Sequence, residues 1–184
     1  MIMFAMKSSY KINSYEEVFK SLCEEFNPKS LLEIGILDGY SLNSFASNLD
    51  SSVEIVAIDL FDKYEFNNSN RETILKQFKK YKNVKIEKGD FYKFYKNSRN
   101  FDMIHIDISN DADIFEFAVE NYLPRTNLVM LLEGGSEERD NVDWMIKYKK
   151  KKINPYLKKI SHHYNIRILE NFPSLTIINL SKDN

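Results

Sequence analysis

Acidic side chains stand at the ends of four apolar runs, where they could bind the hydroxyl groups or the positive charge of a ligand. These residues are Asp59, Asp90, Asp107 and Glu133. Four carboxylates at one edge of a sheet repel one another, so hydrogen-bond donors or positive charge must lie among them. Asp59 follows Gly35 by 24 residues, and a carboxylate in such a position can accept hydrogen bonds from both hydroxyls of a ribose.

The glycines have the same distribution as the acids. The chain has only five, and each follows a predicted strand: Gly35, Gly39, Gly89, Gly134 and Gly135. In an open α/β sheet, ligands bind at the carboxyl ends of the strands. Glycine there permits unusual φ angles and lets a ligand approach the backbone. Ordinary turn glycines are the alternative, and this alternative explains any one position better than it explains all five.

The first strand leads into a motif of the form E-x-G-x-x-x-G-x-S. Its defined positions are Glu33, Gly35, Gly39 and Ser41. The motif differs from the dinucleotide fingerprint G-x-G-x-x-G, because a bulky Leu37 would block the close approach of a pyrophosphate. The looser turn suits a ligand with a ribose and no phosphates, and S-adenosylmethionine (SAM) is such a ligand. Its ribose hydroxyls suit Asp59, its adenine amino group suits Asp90, and its sulfonium and ammonium suit the acidic edge.

Strands and helices alternate along most of the sequence. We predict strands over 31–36, 53–61, 83–90, 101–108 and 126–135, and helices over 14–26, 39–49, 69–82, 91–98, 111–123 and 136–148. This alternation indicates a parallel sheet with helices on both faces. The last two strands, 164–172 and 174–180, are separated only by Pro173, which is too short for a parallel crossover. The sequence therefore predicts an α/β, Rossmann-like doubly wound sheet, mostly parallel, with an antiparallel last strand.

Composition and charge limit the class of protein. The chain has 184 residues, of which 43% are hydrophobic, and it shows no linker or repeat. We therefore expect one domain over 1–184, with an N-terminal helical segment at 1–28 and the core at 29–184. The net charge of −1 gives no reason to expect nucleic acid or an anionic membrane as a partner. Cys23 is the only cysteine and no apolar run approaches the ~20 residues that span a bilayer, so we expect a cytoplasmic protein. Whether it forms a homo-oligomer stays open.

On these residues the chain resembles the class I SAM-dependent methyltransferases, from about residue 30 to 180. Among them it is similar to the small-molecule O-methyltransferases whose first motif reads EIGxxxGxS, which include sugar and macrolide-sugar enzymes. The resemblance implies a seven-stranded sheet. It also implies that Gly35 and Gly39 line the methionine part of the cofactor, that Asp59 binds its ribose, and that Asp90 and Phe91 flank its adenine. The full set of predicted cofactor-binding residues is Glu33, Gly35, Gly39, Ser41, Asp59, Leu60, Gly89, Asp90, Phe91 and Asp107.

The fourth and fifth strands depart from that family. Its fourth strand often reads HIDGDHSYE, whereas this chain has HIDISNDAD at 105–113, without the family's second acid and histidine. Metal-dependent relatives end the fifth strand in two adjacent ligands, whereas this chain has Glu133 followed by Gly134. Because Mg²⁺ often uses one or two carboxylates and several waters, a Mg²⁺ site on Asp107 and Glu133 is a hypothesis. Asp107, Glu133 and His105 are the catalytic candidates, and a buried structural histidine is the alternative for His105.

Methyl transfer from SAM needs little side-chain chemistry, because the sulfonium is already a good leaving group and the protein chiefly aligns the reactants. The main prediction is a SAM-dependent methyltransferase that acts on an oxygen of a small molecule or a sugar. Two alternatives stay open: a SAM-binding partner subunit without catalysis, and an NAD-dependent oxidoreductase. Leu37 and Tyr40 disfavour the second alternative.

Overall fold

The structure is a computed structural model in which residues 8–61 and 70–181 are described. The strands are β1 (Ser30–Ile34), β2 (Glu54–Asp59), β3 (Val84–Lys88), β4 (Phe101–Ile106), β5 (Thr126–Glu133), β6 (Asn165–Leu169) and β7 (Leu175–Asn179). The helices are α1 (Glu16–Phe26), α2 (Tyr40–Asn48), α3 (Arg71–Phe78), α4 (Phe91–Phe94), α5 (Ala112–Asn121), α6 (Asp143–Lys147) and α7 (Asn154–Ile160). Short 3₁₀ helices lie at Ser9–Asn13, Tyr95–Asn97, Leu123–Arg125 and Arg139–Asn141.

All seven strands form one sheet in the order β3-β2-β1-β4-β5-β7-β6. The five strands from β3 to β5 pair in parallel, and β7 pairs antiparallel with both β5 and β6. This architecture confirms the predicted fold class and the antiparallel last strand. The β6–β7 corner reverses the chain, so β7 inserts between β5 and β6 and its Thr176 lies opposite Leu132.

Successive residues of the central strands point to opposite faces, and each face has its own apolar cluster. Leu31 of β1 packs in the cluster that includes Phe19 of α1 and Phe45 of α2. Leu32, the next residue, packs in the cluster that includes Phe115 of α5. Helices therefore cover both faces, and the carboxyl ends of β1, β2, β4 and β5 meet at one edge.

The segment after β5 differs from the prediction. A continuous helix over 136–148 is wrong, because residues 139–141 form one 3₁₀ turn and α6 starts only at Asp143. The Asp140 carboxylate accepts hydrogen bonds from the backbone N–H of Ile153 at 2.9 Å and of Asn154 at 2.7 Å. These bonds cap α7, a helix that the sequence analysis did not predict. The first residue of the predicted helix 69–82 lies outside the described residues.

Within residues 8–61 and 70–181, no helix has the length and apolar character needed to cross a membrane.

Candidate functional site

The turn after β1 lies at the carboxyl edge of the sheet and is held by Asp59 of β2. One oxygen of Asp59 accepts hydrogen bonds from the backbone N–H of Ile36 at 2.7 Å and of Leu37 at 3.3 Å. The other oxygen accepts from the backbone N–H of Phe61 at 2.5 Å. Because the side chain is only 6% exposed, these contacts fix the turn, and a ribose would have to share the carboxylate with them.

Both glycines of the turn have left-handed backbone conformations and close neighbours. Gly35 has φ +91°, and a Cβ atom there would lie 2.0 Å from the backbone oxygen of Asp107. Gly39 has φ +78°, and its Cβ would lie 2.7 Å from the ring of Phe78. The fold itself therefore requires glycine at both positions. A ligand at this turn would contact the backbone from another direction.

A buried chain of polar side chains runs beneath the turn. Glu33 accepts hydrogen bonds from Ser41 Oγ at 2.5 Å and from His105 Nδ1 at 2.8 Å. His105 Nε2 is hydrogen-bonded to the Tyr10 hydroxyl at 3.0 Å. Glu33, His105 and Tyr10 are fully buried, so each depends on the others for its hydrogen bonds. The structure thus brings together three predicted site residues, Glu33, Ser41 and His105.

His105 lies among aromatic rings on the α1–α2 face of the sheet. Its ring centroid is 5.5 Å from that of Phe19 and 5.4 Å from that of Phe45. With no exposed surface, the imidazole has no direct route to an acceptor. Its link to the edge of the sheet is the Tyr10 hydroxyl.

Asp107 and Glu133, the other two catalytic candidates, lie side by side after β4 and at the end of β5. Glu133 Oε1 accepts hydrogen bonds from Arg139 Nη2 at 2.9 Å and from Ser9 Oγ at 2.8 Å. Burial raises the pKa of Asp107 well above its usual value, and the charge of Glu133 and a hydrogen bond with it raise the pKa further. The neutral form of Asp107 is therefore favoured beside the Glu133 carboxylate.

The phenol of Tyr10 lies within the electrostatic field of this acidic group. Burial raises the pKa of Tyr10 well above its usual value, and Asp107, Glu133 and Glu33 add to the effect in that order. The hydroxyl therefore stays protonated at neutral pH and can act only as a neutral hydrogen-bond partner there.

The residues predicted to flank the adenine lie at the end of β3. Asp90 caps α4, since its side chain accepts a hydrogen bond from the backbone N–H of Tyr92 at 2.9 Å. The ring of Phe91 is 4% exposed and stacks on Tyr122 with centroids 5.2 Å apart. Gly89 donates its backbone N–H to the Asp59 carbonyl at 3.0 Å. Leu60 is partly exposed beside Asp59.

Sequence reasoning missed the N-terminal segment, which we define as residues 8–15. Ser9 binds Glu133, Tyr10 binds His105, and Lys11 forms an ion pair with Asp38 in the glycine turn. Tyr15 donates its hydroxyl to the backbone carbonyl of Asn171, and burial raises the pKa of Tyr15 to about 12. These residues show no periodic pattern that could have indicated a role.

Sequence reasoning also missed Arg139, because the charges of the surrounding segment SEERDNVDW are typical of a helix N-terminus, where acidic residues are favoured. The residue as a whole is instead 5% exposed. The guanidinium lies over the rings of Trp144 and Phe172, 4.9 and 5.0 Å from their centroids. It supplies positive charge to the acidic edge.

The residues at this edge do not fit the predicted Mg²⁺ site. In the part of the chain that the structure describes, no group of three or more His, Cys, Asp or Glu side chains could hold a metal ion. Glu133 is already paired with Arg139, burial and Glu133 raise the pKa of Asp107, and Gly134 offers no side-chain ligand.

Comparison with known proteins agrees with the fold. A family model described as "Methyltransferase domain" matches residues 32–128, more than half of the chain. None of the curated protein sequences matches.

Three solved methyltransferases share the architecture. An O-methyltransferase from Bacillus cereus in complex with SAH has 16% identity and a TM-score of 0.64, over 95% of this chain and 83% of that one. The O-methyltransferase TomG from Streptomyces achromogenes, involved in tomaymycin synthesis and in complex with SAM, has 15% identity and a TM-score of 0.66, over 97% and 82%. An SAH-bound methyltransferase from Podospora anserina has 19% identity and a TM-score of 0.66, over 97% and 81%.

The sheet order, the glycine turn after β1 and the acidic edge define a class I methyltransferase fold. The chain belongs to the methyltransferase domain family.

Proposed function

We propose that the protein is a SAM-dependent methyltransferase that transfers a methyl group to an oxygen of a small molecule or a sugar. The observation that carries the proposal is the concentration of carboxylates around the turn after β1, where a sulfonium and an ammonium would be stabilised. The family and the SAM- and SAH-bound neighbours support it. The acceptor class follows from the sequence resemblance alone.

Asp38 fits the ammonium group of the cofactor. It lies in the glycine turn, and one of its oxygens is paired with Lys11. The other oxygen, Oδ1, is buried and has no hydrogen-bond partner among the described residues. A buried carboxylate oxygen without a donor is costly, and an ammonium would satisfy it. The sequence motif gave no reason to single out this residue.

The remaining proposed contacts follow the predicted map. The Asp59 carboxylate accepts the ribose hydroxyls while it holds the turn, and the backbone beside Gly89 and Asp90 flanks the adenine. When bound, SAM supplies a methyl group on a sulfonium that leaves as a neutral thioether. Asp107 takes the proton of the acceptor hydroxyl, and the pair of Glu33 and His105 positions Tyr10 beneath it.

We expect SAM affinity to rise with pH as Asp107 loses its proton. The raised pKa of Asp107 means that it is protonated at low pH, whereas a bound sulfonium favours the ionised form, so binding releases a proton. One released proton changes the affinity by up to about tenfold per pH unit. Folding has the opposite sign: the contribution of Asp107 to stability is present below its unfolded pKa and is lost as pH rises through its folded pKa.

Titration calorimetry with SAM over a range of pH measures this effect. The Asp107→Asn variant is the control, because its side chain cannot ionise and its SAM affinity should vary less with pH. SAH has no sulfonium, so its affinity should also vary less. Equal pH dependence of SAM and SAH would contradict the role given to Asp107.

Two measurements test the function itself. Calorimetry with SAM against NAD separates a methyltransferase from the NAD-dependent oxidoreductase, and only SAM should bind. Methyl transfer from labelled SAM to a panel of sugars and phenols separates the enzyme from a partner subunit without catalysis. Binding of NAD, or of neither cofactor, would contradict the proposal.

A further inference from the structure

Arg139 occupies an unusual position for a charged residue. It follows the end of β5 by six residues, in a segment that also buries Ser136 and Asp140. Its Nη2 donates to Glu133 Oε1 at 2.9 Å, and both side chains are 7% exposed. Arginine is rarely buried unless it is paired, so the ion pair with Glu133 is what allows Arg139 to be buried at this edge.

Two aromatic rings hold the Arg139 guanidinium in position. Trp144 and Phe172 lie against it at 4.9 and 5.0 Å, which is within the range of cation–π attraction. Its Nε–H is buried and has no hydrogen-bond partner among the described residues. A buried donor of this kind is a place for the oxygen of a ligand, since leaving it unpaired is costly.

Arg139 brings positive charge to a group of acids. Asp107 and Glu133 both raise the pKa of Tyr10, and Glu133 raises the pKa of Asp107 whereas Arg139 lowers it. The guanidinium is bonded to Glu133, one of the two carboxylates of the predicted Mg²⁺ site.

We infer that the Arg139 guanidinium stands in place of a divalent cation at the carboxyl edge of β4 and β5, so that this site takes no metal. The inference rests on the proposed function in one respect, namely that the cofactor and the acceptor would meet at this edge. It goes beyond that function by assigning the local cation to the protein itself. Arg139 is a positioning residue here, since its guanidinium holds the Glu133 carboxylate by a hydrogen bond and an ion pair.

Binding of Mn²⁺, followed by electron paramagnetic resonance, tests the inference without any acceptor. The wild-type protein should not bind Mn²⁺ at concentrations up to about 1 mM. A site built from several carboxylates would bind a divalent cation at lower concentrations than this. SAH affinity by calorimetry should be the same in chelator and in Mg²⁺. Mn²⁺ binding by the wild-type protein, or loss of SAH binding on chelation, would overturn the inference.

The variant Arg139→Met gives the complementary result. It leaves Glu133 buried without its cation, so Tm should fall by on the order of 10 °C. Mn²⁺ should restore part of that loss in the variant and change nothing in the wild type. If Mn²⁺ leaves the variant unchanged, Arg139 does not stand in for a metal.

Two further variants complete the design. Arg167→Met is the matched control, because Arg167 pairs with Glu25 at the surface and half of its side chain is exposed. Arg139→Lys keeps the charge and, like the wild type, should not bind Mn²⁺. It tests the inference if Arg139→Met does not fold, because Mn²⁺ binding by Arg139→Lys would contradict it. If SAH fails to bind in every buffer, the proposed function fails, while the Mn²⁺ results still decide this inference.

Discussion

Asp59→Ala is expected to weaken SAM binding by well over tenfold and to lower Tm by on the order of 10 °C in the same variant. The first effect is the loss of two charge-assisted hydrogen bonds to the ribose, each worth about 1.5–3 kcal/mol. The second arises because three backbone N–H groups, of Ile36, Leu37 and Phe61, lose their acceptor. A buried donor without a partner costs about 1–3 kcal/mol, and 1 kcal/mol corresponds to about 2–4 °C in a chain of this size.

Two measurements on the same preparation separate the two effects: titration calorimetry gives the SAM affinity, and differential scanning calorimetry gives Tm. Asp59→Asn keeps one carbonyl oxygen for the turn, so its Tm should fall less than that of Asp59→Ala. Asp50→Ala is the control for a surface aspartate, because Asp50 accepts a hydrogen bond from the backbone of Ser52 in an exposed turn. A folded Asp59→Ala protein with unchanged SAM affinity would place the cofactor elsewhere, and an unchanged Tm would contradict the role of Asp59 in the turn.

Gly35→Val should destabilise the fold strongly and not act as a simple block to the cofactor. The sequence resemblance implies that Gly35 lines the methionine part of the cofactor, so valine would also fill that space. The larger effect is on the fold, because the new Cβ would lie 2.0 Å from the Asp107 backbone oxygen at a φ of +91°. Left-handed backbone costs a non-glycine residue about 1–2 kcal/mol, and overpacking adds about 1–3 kcal/mol.

Urea unfolding with a tryptophan signal measures the loss, with Gly89→Ala as the matched control. Gly89 has no left-handed φ, and its Cβ would lie 3.0 Å from the Cβ of Ile58, a tight contact but much longer than the 2.0 Å contact at Gly35. Its loss of stability should therefore be smaller than that of Gly35→Val. A Gly35→Val protein as stable as the wild type would show that the turn can rearrange. Lost SAM binding in this variant carries no information about the site unless the fold survives.

The sequence by itself determined the sheet and the edge at which a ligand would bind. Buried apolar runs such as 31–36 predict strands because both faces of a parallel sheet are covered. The short corner at Pro173 predicts an antiparallel pair because no crossover fits there. Both signals are local, since they depend on the solvent exposure of an element and on the reach of the chain.

Only the tertiary structure decided which side chains meet at that edge. His105 binds Glu33, which is 72 residues away, and Tyr10, which is 95 residues away. Ser9 and Glu133 are separated by 124 residues. Such contacts depend on how helices and loops pack over the sheet, and no periodicity in the sequence reports on that packing.

The segment after β5 shows the same limit most clearly. Its charges predict the N-terminus of a helix over 136–148, yet Arg139 and Asp140 are buried outside any α-helix. Asp140 turns the chain by capping α7, and Arg139 is drawn inward by Glu133 and two aromatic rings. A charged residue is stable in the interior only when a partner meets it there, and that partner is supplied by the folded arrangement of the chain.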